Sequence, residues 1–147
     1  MQRNRTPGCP RRCRRRGSPL VVVSVDGLGM PLFQRLRQLP ALAAMEANGA
    51  TVEDVVSVLP SLTYPAHATL LTGLSPRDHG VVDNLLHSPG AGPWDWNWHR
   101  SRIRGDTVAD AAQRAGCRVG ALLWPGLAGA RLSAVFPEIM ADPARGE

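Results

Sequence analysis

Lysine is absent from this sequence, and cysteine and aromatic residues are scarce. The 147 residues contain three cysteines and seven aromatic side chains of phenylalanine, tryptophan or tyrosine. Structural zinc sites need four ligands, so Cys9, Cys13 and Cys117 are not expected to bind a metal. No apolar run approaches the roughly 20 residues of a transmembrane helix. We therefore expect one soluble domain with a conventional core and no membrane segment.

Arginine is concentrated at the start of the chain. Residues 1–18 hold seven of the 17 cationic residues, whereas residues 19–147 carry ten cationic and twelve acidic residues. The basic character therefore belongs to the first segment, whose composition predicts a disordered Arg-rich tail over residues 1–18. An Arg-rich nucleic-acid-binding module is an alternative reading, but nucleic acid is not the expected partner. The run Leu20 to Val25 is too short for a secretory signal, so a cytoplasmic location is expected.

Apolar runs rich in β-branched residues alternate with helical patterns along residues 19–147. The runs are typical of strands buried on both faces of a parallel sheet, and they cover residues 19–25, 51–59 and 118–124. The helical patterns cover residues 30–49, 64–73 and 107–115. Pro40 is expected to begin a second helix inside the first pattern, and Asp106 or Thr107 to cap the last one. The alternation predicts an α/β fold with a mainly parallel sheet flanked by helices.

Asp26 ends the first predicted strand, and Thr63 follows the second. Ligands of open parallel sheets bind beyond the carboxyl ends of the strands, so these two side chains are expected to converge on one edge. An aspartate followed by glycines suits a zinc or other metal ligand, because glycine lets an ion or a phosphate approach the backbone. The same carboxylate would also serve in an Asx turn or as a helix cap.

Thr63 also has two readings. Threonine before Tyr-Pro is a good helix N-cap, which would explain it without any chemistry. Alternatively, the helix N-terminus favours an anionic phosphate beside the hydroxyl, which a base or a metal ion would have to activate as a nucleophile.

Asn84 has a functional reading as a donor to a phosphoryl oxygen in the transition state, and a plain reading as a turn asparagine. The histidines are weaker candidates: His67 is expected to be a packed or capping residue, and His79 to bond the backbone of a turn through Nδ1. Three tryptophans and three arginines occupy every second position over residues 94–104: Trp94, Trp96, Trp98, Arg100, Arg102 and Arg104. This stripe would suit stacking on nucleotide bases, or it would form an edge strand or loop that covers the core.

Three features in fixed order carry a family resemblance: an apolar run ending in Asp26 and Gly27, the segment "LPSLTYPAHATLLTG" over residues 59–73, and "HGVVDN" over residues 79–84. Together with "LLWPG" further on, they resemble the nucleotide pyrophosphatase/phosphodiesterase family of the alkaline phosphatase superfamily. Residues 20–84 fit almost continuously, and residues 105–140 fit more loosely. The resemblance implies an alkaline-phosphatase-like α/β fold and a hydrolase of phosphodiester or nucleotide pyrophosphate bonds in small-molecule substrates.

The resemblance also implies roles for individual residues. Thr63 matches the nucleophile that is transiently phosphorylated, and Asp26 matches a ligand that binds one of two zinc ions together with the oxygen of Thr63. Asn84 matches the donor to the phosphoryl oxygen, and Tyr64 matches an aromatic position that packs against the substrate's base. His67 and His79 correspond to motif positions that do not ligate zinc.

The remaining metal ligands of the family, an Asp-x-x-x-His set, an Asp-His pair and a later histidine, have no counterpart in this sequence. We therefore expect an N-terminal portion of such a domain over residues 19–147, truncated and inactive by itself. Two alternatives stay open: a phosphomonoesterase or phosphonate hydrolase of the same superfamily, and a small α/β interaction domain without catalysis.

Overall fold

A computed structural model describes residues 19–53, 55–86 and 96–138. The chain forms two compact units, one of Ser18–Ser57 and one that contains Val58–Glu147. The Arg-rich tail predicted for residues 1–18 and the residue Trp94 lie outside the described residues. No helix in the described ranges combines the length and the apolar character needed to cross a membrane.

The unit Ser18–Ser57 contains two helices, α1 (Met30–Leu36) and α2 (Pro40–Ala47). Proline stands in the first turn of each helix, where its missing N–H costs no hydrogen bond, so the prediction that Pro40 starts a second helix is confirmed. The chain leaves α2 through Asn48 and Gly49. A Cβ atom at Gly49 would lie 2.9 Å from the carbonyl oxygen of Met45, which explains the glycine at this helix end.

The prediction of strands at residues 19–25 and 51–59 is wrong. Residues 19–25 and the described residues of 51–59 lie in no strand, and all their valines except the half-buried Val58 are exposed, with Val23 77% and Val56 94% accessible. A strand buried on both faces needs ladder partners at its sides and helices over its faces. The described residues of Ser18–Ser57 include no strand that would pair with either run, so the apolar pattern alone did not make a sheet.

The second unit begins with two helices, α3 (Thr63–Thr72) and α4 (Pro76–His79). After a single 3₁₀ turn at Arg100–Arg102 it continues through helix α5 (Val108–Arg114) to two short strands, β1 (Gly120–Leu122) and β2 (Ala134–Phe136). The strands pair in parallel, with Ala121 opposite Val135. The predicted run 118–124 therefore contains a strand in a parallel pair, as expected, whereas β2 was not predicted.

The structure shows that Thr107, and not Asp106, caps helix α5. Thr107 is the N-cap: its hydroxyl accepts from the N–H of Asp110, and the carboxylate of Asp110 accepts from the N–H of Thr107 at 3.0 Å. Arg100 also donates to Asp110 at 2.6 Å. Burial by itself would raise the pKa of Asp110, but the hydrogen bonds from Thr107 and Arg100 outweigh it and hold that pKa below its usual range.

The core of the second unit lies between α3, the segment after α4 and the segments on either side of α5. Three side chains of α3 enter it at helical spacing: Tyr64, Ala68 and Leu71. They meet three buried side chains from the other segments: Val81, Ile103 and Leu127. Trp96, Trp98 and Trp124 pack against this cluster from outside. The core therefore fixes α3, whose first turn carries Thr63, against the segment that carries Asn84.

Candidate functional site

Helix α3 begins at Thr63, and the N-cap position is taken by Leu62, whose backbone is extended with φ −111° and ψ 158°. The reading of Thr63 as the N-cap is therefore wrong: its backbone is already helical, and no side-chain cap bond is formed at Leu62. Pro65 has no N–H, which removes one of the donors that a helix start leaves without an intrahelical partner. The backbone N–H of Tyr64 is such a donor, and it therefore needs an acceptor outside the helix.

Asn84 satisfies that donor from 20 residues further along the chain. The backbone N–H of Tyr64 donates to Oδ1 of Asn84 at 2.9 Å. A backbone N–H requires an acceptor, so this contact also decides which end of the carboxamide is oxygen. The amide N–H pair of Asn84 is therefore at the other end of the carboxamide, whose oxygen is bound to the first turn of the helix that carries Thr63.

His67 and His79 behave as structural residues, as the sequence predicts. His67 is buried, and its Nδ1 lies 2.8 Å from the backbone oxygen of Thr63. His79 is fully buried: the N–H of Val81 donates to its Nδ1 at 3.2 Å, so Nε2 carries the proton of the neutral ring and donates to Thr69 at 3.0 Å. Burial lowers the pKa of His79 from its usual 6.5.

Tyr64 lies inside the core, with 3% of the residue exposed. Its ring packs against Trp96 and Trp98 at centroid distances of 5.7 and 6.1 Å, and its hydroxyl donates to Glu138 at 3.2 Å. Burial and the nearby carboxylate of Glu138 raise the pKa of Tyr64. The contact with a substrate base, which the resemblance implies for Tyr64, stays a prediction.

The described part of the tryptophan and arginine stripe covers the core. The rings of Trp96 and Trp98 stack on each other at 5.6 Å with an interplanar angle of 28°, and both pack on the buried cluster. Arg100 is occupied within the fold, since it donates to Asp110 and to the carbonyl oxygens of Ile103 and Gly105. These contacts support the covering-loop reading of the stripe.

Between the two tryptophans lies Asn97, a buried residue that the sequence analysis missed. Its Nδ2 donates to the carbonyl oxygen of Asp83 at 2.8 Å and to that of Leu85 at 3.2 Å. Its backbone N–H donates to the carbonyl oxygen of Asn84 at 3.0 Å. The available signal was the alternation itself, because a polar residue between Trp96 and Trp98 points to the opposite side of the chain.

Asp26 belongs to the other compact unit, in which it is exposed and accepts a hydrogen bond from the N–H of Gly27 at 3.1 Å. Its predicted convergence with Thr63 stays a prediction. Across residues 19–53, 55–86 and 96–138, no three histidine, cysteine, aspartate or glutamate side chains come together in a way that would hold a metal ion. The described residues therefore do not themselves make up the two-metal site that the resemblance implies.

A solved structure is similar to this chain. It is that of the murine ectonucleotide pyrophosphatase/phosphodiesterase 5, with a TM-score of 0.57 and 26% sequence identity over 73% of this chain and 31% of that one. The fold is accordingly of the alkaline-phosphatase-like α/β class, as expected. The sequence profile of the family described as type I phosphodiesterase / nucleotide pyrophosphatase matches residues 20–145. The chain therefore belongs to this family of hydrolases.

Individual relatives agree with the family assignment. Human ectonucleotide pyrophosphatase/phosphodiesterase family member 1 is 24% identical over 131 residues, which are 82% of this chain and 14% of that protein. An ectonucleotide pyrophosphatase/phosphodiesterase of Caenorhabditis elegans is 32% identical over 113 residues, which are 74% of this chain and 15% of that protein. The chain thus spans about a seventh of the length of these two relatives.

Proposed function

We propose that Thr63 is the nucleophile of a hydrolase acting on phosphodiester or nucleotide pyrophosphate bonds in small molecules, and that Asn84 donates its amide N–H to a phosphoryl oxygen. One observation carries this proposal: the 2.9 Å hydrogen bond from Tyr64 N–H to Asn84, which holds the carboxamide at the helix start beside Thr63. The partial positive charge at the N-terminus of the ten-residue helix α3 also favours a phosphate there.

In the proposed reaction, Oγ1 of Thr63 forms a bond to phosphorus while the bond to the leaving alcohol or nucleotide breaks, and the proton of the Thr63 hydroxyl ends on the leaving oxygen. The product is a phosphothreonine at position 63 whose phosphate keeps the substrate's other ester group, and water then cleaves its bond to Thr63, which releases a phosphate monoester and restores the hydroxyl. Charge builds up on the non-bridging phosphoryl oxygens, where the fixed N–H donors of Asn84 stabilise it without having to reorganise. His67 is not assigned as the base, because its Nδ1 lies against the backbone oxygen of Thr63.

The proposal includes two divalent metal ions, zinc by resemblance, with Asp26 and Thr63 as the ligands from this chain. The described residues lack the remaining ligands, so no step is assigned to metal here. A threonine hydroxyl is a weak nucleophile near neutral pH without a base or a metal ion. We therefore propose that the 147-residue chain alone does not turn over a phosphodiester.

The test uses a chimera in which residues 20–145 replace the matching segment of a hydrolytically active family member. With bis(4-nitrophenyl) phosphate as substrate, the chimera should release nitrophenol, and acid quenching should trap a 4-nitrophenyl phosphoryl group on Thr63 that mass spectrometry locates. Thr63→Ala should abolish both signals. Thr72→Ala is the matched control on the same helix, because the Thr72 hydroxyl bonds the carbonyl of Ala68 at the far end of α3.

Two results would contradict parts of the proposal. Hydrolysis that persists in Thr63→Ala, or a phosphoryl group found on another residue, would remove Thr63 as the nucleophile. Zinc-dependent hydrolysis by the unfused chain that Thr63→Ala abolishes would leave the nucleophile in place and overturn the proposed inactivity of the chain alone.

A further inference from the structure

Asn97 forms hydrogen bonds to the backbone on both sides of the Cα atom of Asn84. The peptide group before that atom ends in the carbonyl of Asp83, which accepts from Nδ2 of Asn97 at 2.8 Å. The peptide group after it carries the carbonyl of Asn84, which accepts from the backbone N–H of Asn97 at 3.0 Å. One residue, of which 7% is exposed, therefore holds both peptide groups that set the direction of the Asn84 side chain.

We propose that Asn97 is a positioning residue, which aims the carboxamide of Asn84 at the start of α3. With both peptide groups held, only the two side-chain torsions of Asn84 remain, and the bond from Tyr64 N–H settles them. Asn97 itself need not touch the substrate. This inference rests on the donor role proposed for Asn84, because it explains how that donor is kept in place before a phosphoryl group arrives.

The chemistry of the contacts requires an amide at this position. The groups that face Nδ2 are carbonyl oxygens, which accept and cannot donate, so only a side chain with two N–H groups satisfies Asp83 and Leu85 together. An aspartate has the same shape, but it would place a carboxylate oxygen against a carbonyl oxygen, and neither of these can donate a hydrogen bond. A side chain that merely filled space between the tryptophans would not hold the carbonyl groups at all.

The opposite end of the same segment is held independently, by His79. Its Nδ1 accepts from the N–H of Val81, and its own carbonyl oxygen accepts from the N–H of Arg104 at 2.9 Å. The segment from residue 79 to residue 85 is thus anchored at both ends. Losing the Asn97 carboxamide should loosen the end that carries Asn84, which keeps its backbone bond to residue 97, while the end at His79 stays bound.

Backbone hydrogen exchange of Tyr64 in the 147-residue chain, followed by NMR, tests the inference. The N–H of Tyr64 is near the start of α3 and has no partner within the helix, so its protection reports the bond to Asn84. In Asn97→Asp this N–H should exchange about tenfold faster. The N–H of Ala68, in the middle of α3, should change by no more than about twofold.

Two further variants calibrate the result. Asn84→Ala removes the acceptor directly and gives the exchange rate for complete loss of the bond. Asn48→Asp makes the same chemical change at an exposed asparagine of α2's end, whose Nδ2 donates to the carbonyl of Ala44 at 2.8 Å, and should leave Tyr64 unchanged. If Asn97→Asp does not fold, Asn97→Ser keeps one donor and should show the same selective effect at smaller size.

The inference is wrong if Tyr64 exchanges at its wild-type rate in the Asn97 variants. It is also wrong if Ala68 accelerates as much as Tyr64, because that result would mean that Asn97 contributes only general stability. Neither outcome depends on phosphoryl chemistry, so a failed positioning test leaves the Thr63 proposal standing. If Thr63 proves not to be the nucleophile but Tyr64 selectively loses protection in the Asn97 variants, Asn97 would still be the residue that positions Asn84.

Discussion

Asn84 caps helix α3 from a separate segment: its Oδ1 accepts the backbone N–H of Tyr64 at 2.9 Å. The cap of a helix is usually the residue just before its first turn, here Leu62, which has no side-chain acceptor. One carboxamide thus has two ends with different tasks. The oxygen stabilises the helix start, and the N–H pair is the proposed donor to the phosphoryl group.

These two tasks can be separated by substitution at Asn84. Asn84→Asp keeps an acceptor for Tyr64 N–H and adds a favourable charge at the helix N-terminus, so the free energy of unfolding should stay the same or rise. Asn84→Ala loses the cap and should lower it by about 1 kcal/mol. Both variants lack the amide N–H and should lose phosphodiester hydrolysis in the chimera. Urea unfolding and the nitrophenol assay measure the two effects.

The capping box of α5 should stabilise the second unit. Thr107→Ala removes the acceptor for Asp110 N–H, and we expect it to lower the free energy of unfolding by about 1 kcal/mol. Ser75→Ala, at the N-cap of the four-residue helix α4, is the control, because the Ser75 hydroxyl donates to the carboxylate of Asp78 and makes no side-chain cap bond there. Equal losses in the two variants would show that the box contributes nothing beyond a hydroxyl bonded to a carboxylate.

His79 should make the fold sensitive to acid. Its lowered pKa in the folded state means that an unfolded chain binds a proton more readily, although a hydrogen bond to the backbone of Pro65 and the neighbouring Asp78 partly offset the effect of burial. The stability contributed by neutral His79 is therefore fully present above about pH 6.5 and is lost as the pH falls through the lower folded-state pKa.

We expect urea unfolding at about pH 8 and at about pH 5 to show a smaller difference in stability for His79→Gln than for the unsubstituted chain. His99→Gln, which removes an exposed imidazole, is the matched control. An unchanged pH dependence in His79→Gln would assign the acid sensitivity to other groups.

Gly126 should tolerate a side chain less well than Gly73. Both have positive φ, +76° and +70°, so alanine carries a similar backbone strain of about 1 kcal/mol at either position. At Gly126 the added Cβ would also lie 3.1 Å from Cδ1 of the buried Ile103, whereas nothing lies within 4 Å at Gly73. Gly126→Ala should therefore cost about 1 kcal/mol more in urea unfolding. Equal costs would mean that Ile103 moves freely.

The sequence by itself determined the local features and the family. Pro40 marked a helix start, and Thr107 was one of the two candidate caps of α5, because such signals act within one turn of the chain. The motif around Thr63 and Asn84 likewise placed the chain in its family, since the order and spacing of the motifs are properties of the sequence alone.

Only the tertiary structure decided which distant groups meet. The apolar runs at 19–25 and 51–59 have a strand-like composition, but a strand forms only where a second backbone supplies its hydrogen bonds, and β1 found that partner in β2. Likewise, the sequence offered Thr63 as the cap of α3, but in the fold the acceptor at this helix start is the distant Asn84. Asn97 has its proposed role only because three carbonyl groups from another segment lie around its side-chain amide. Hydrogen bonds between segments depend on the packed core that aligns them, which no local pattern encodes.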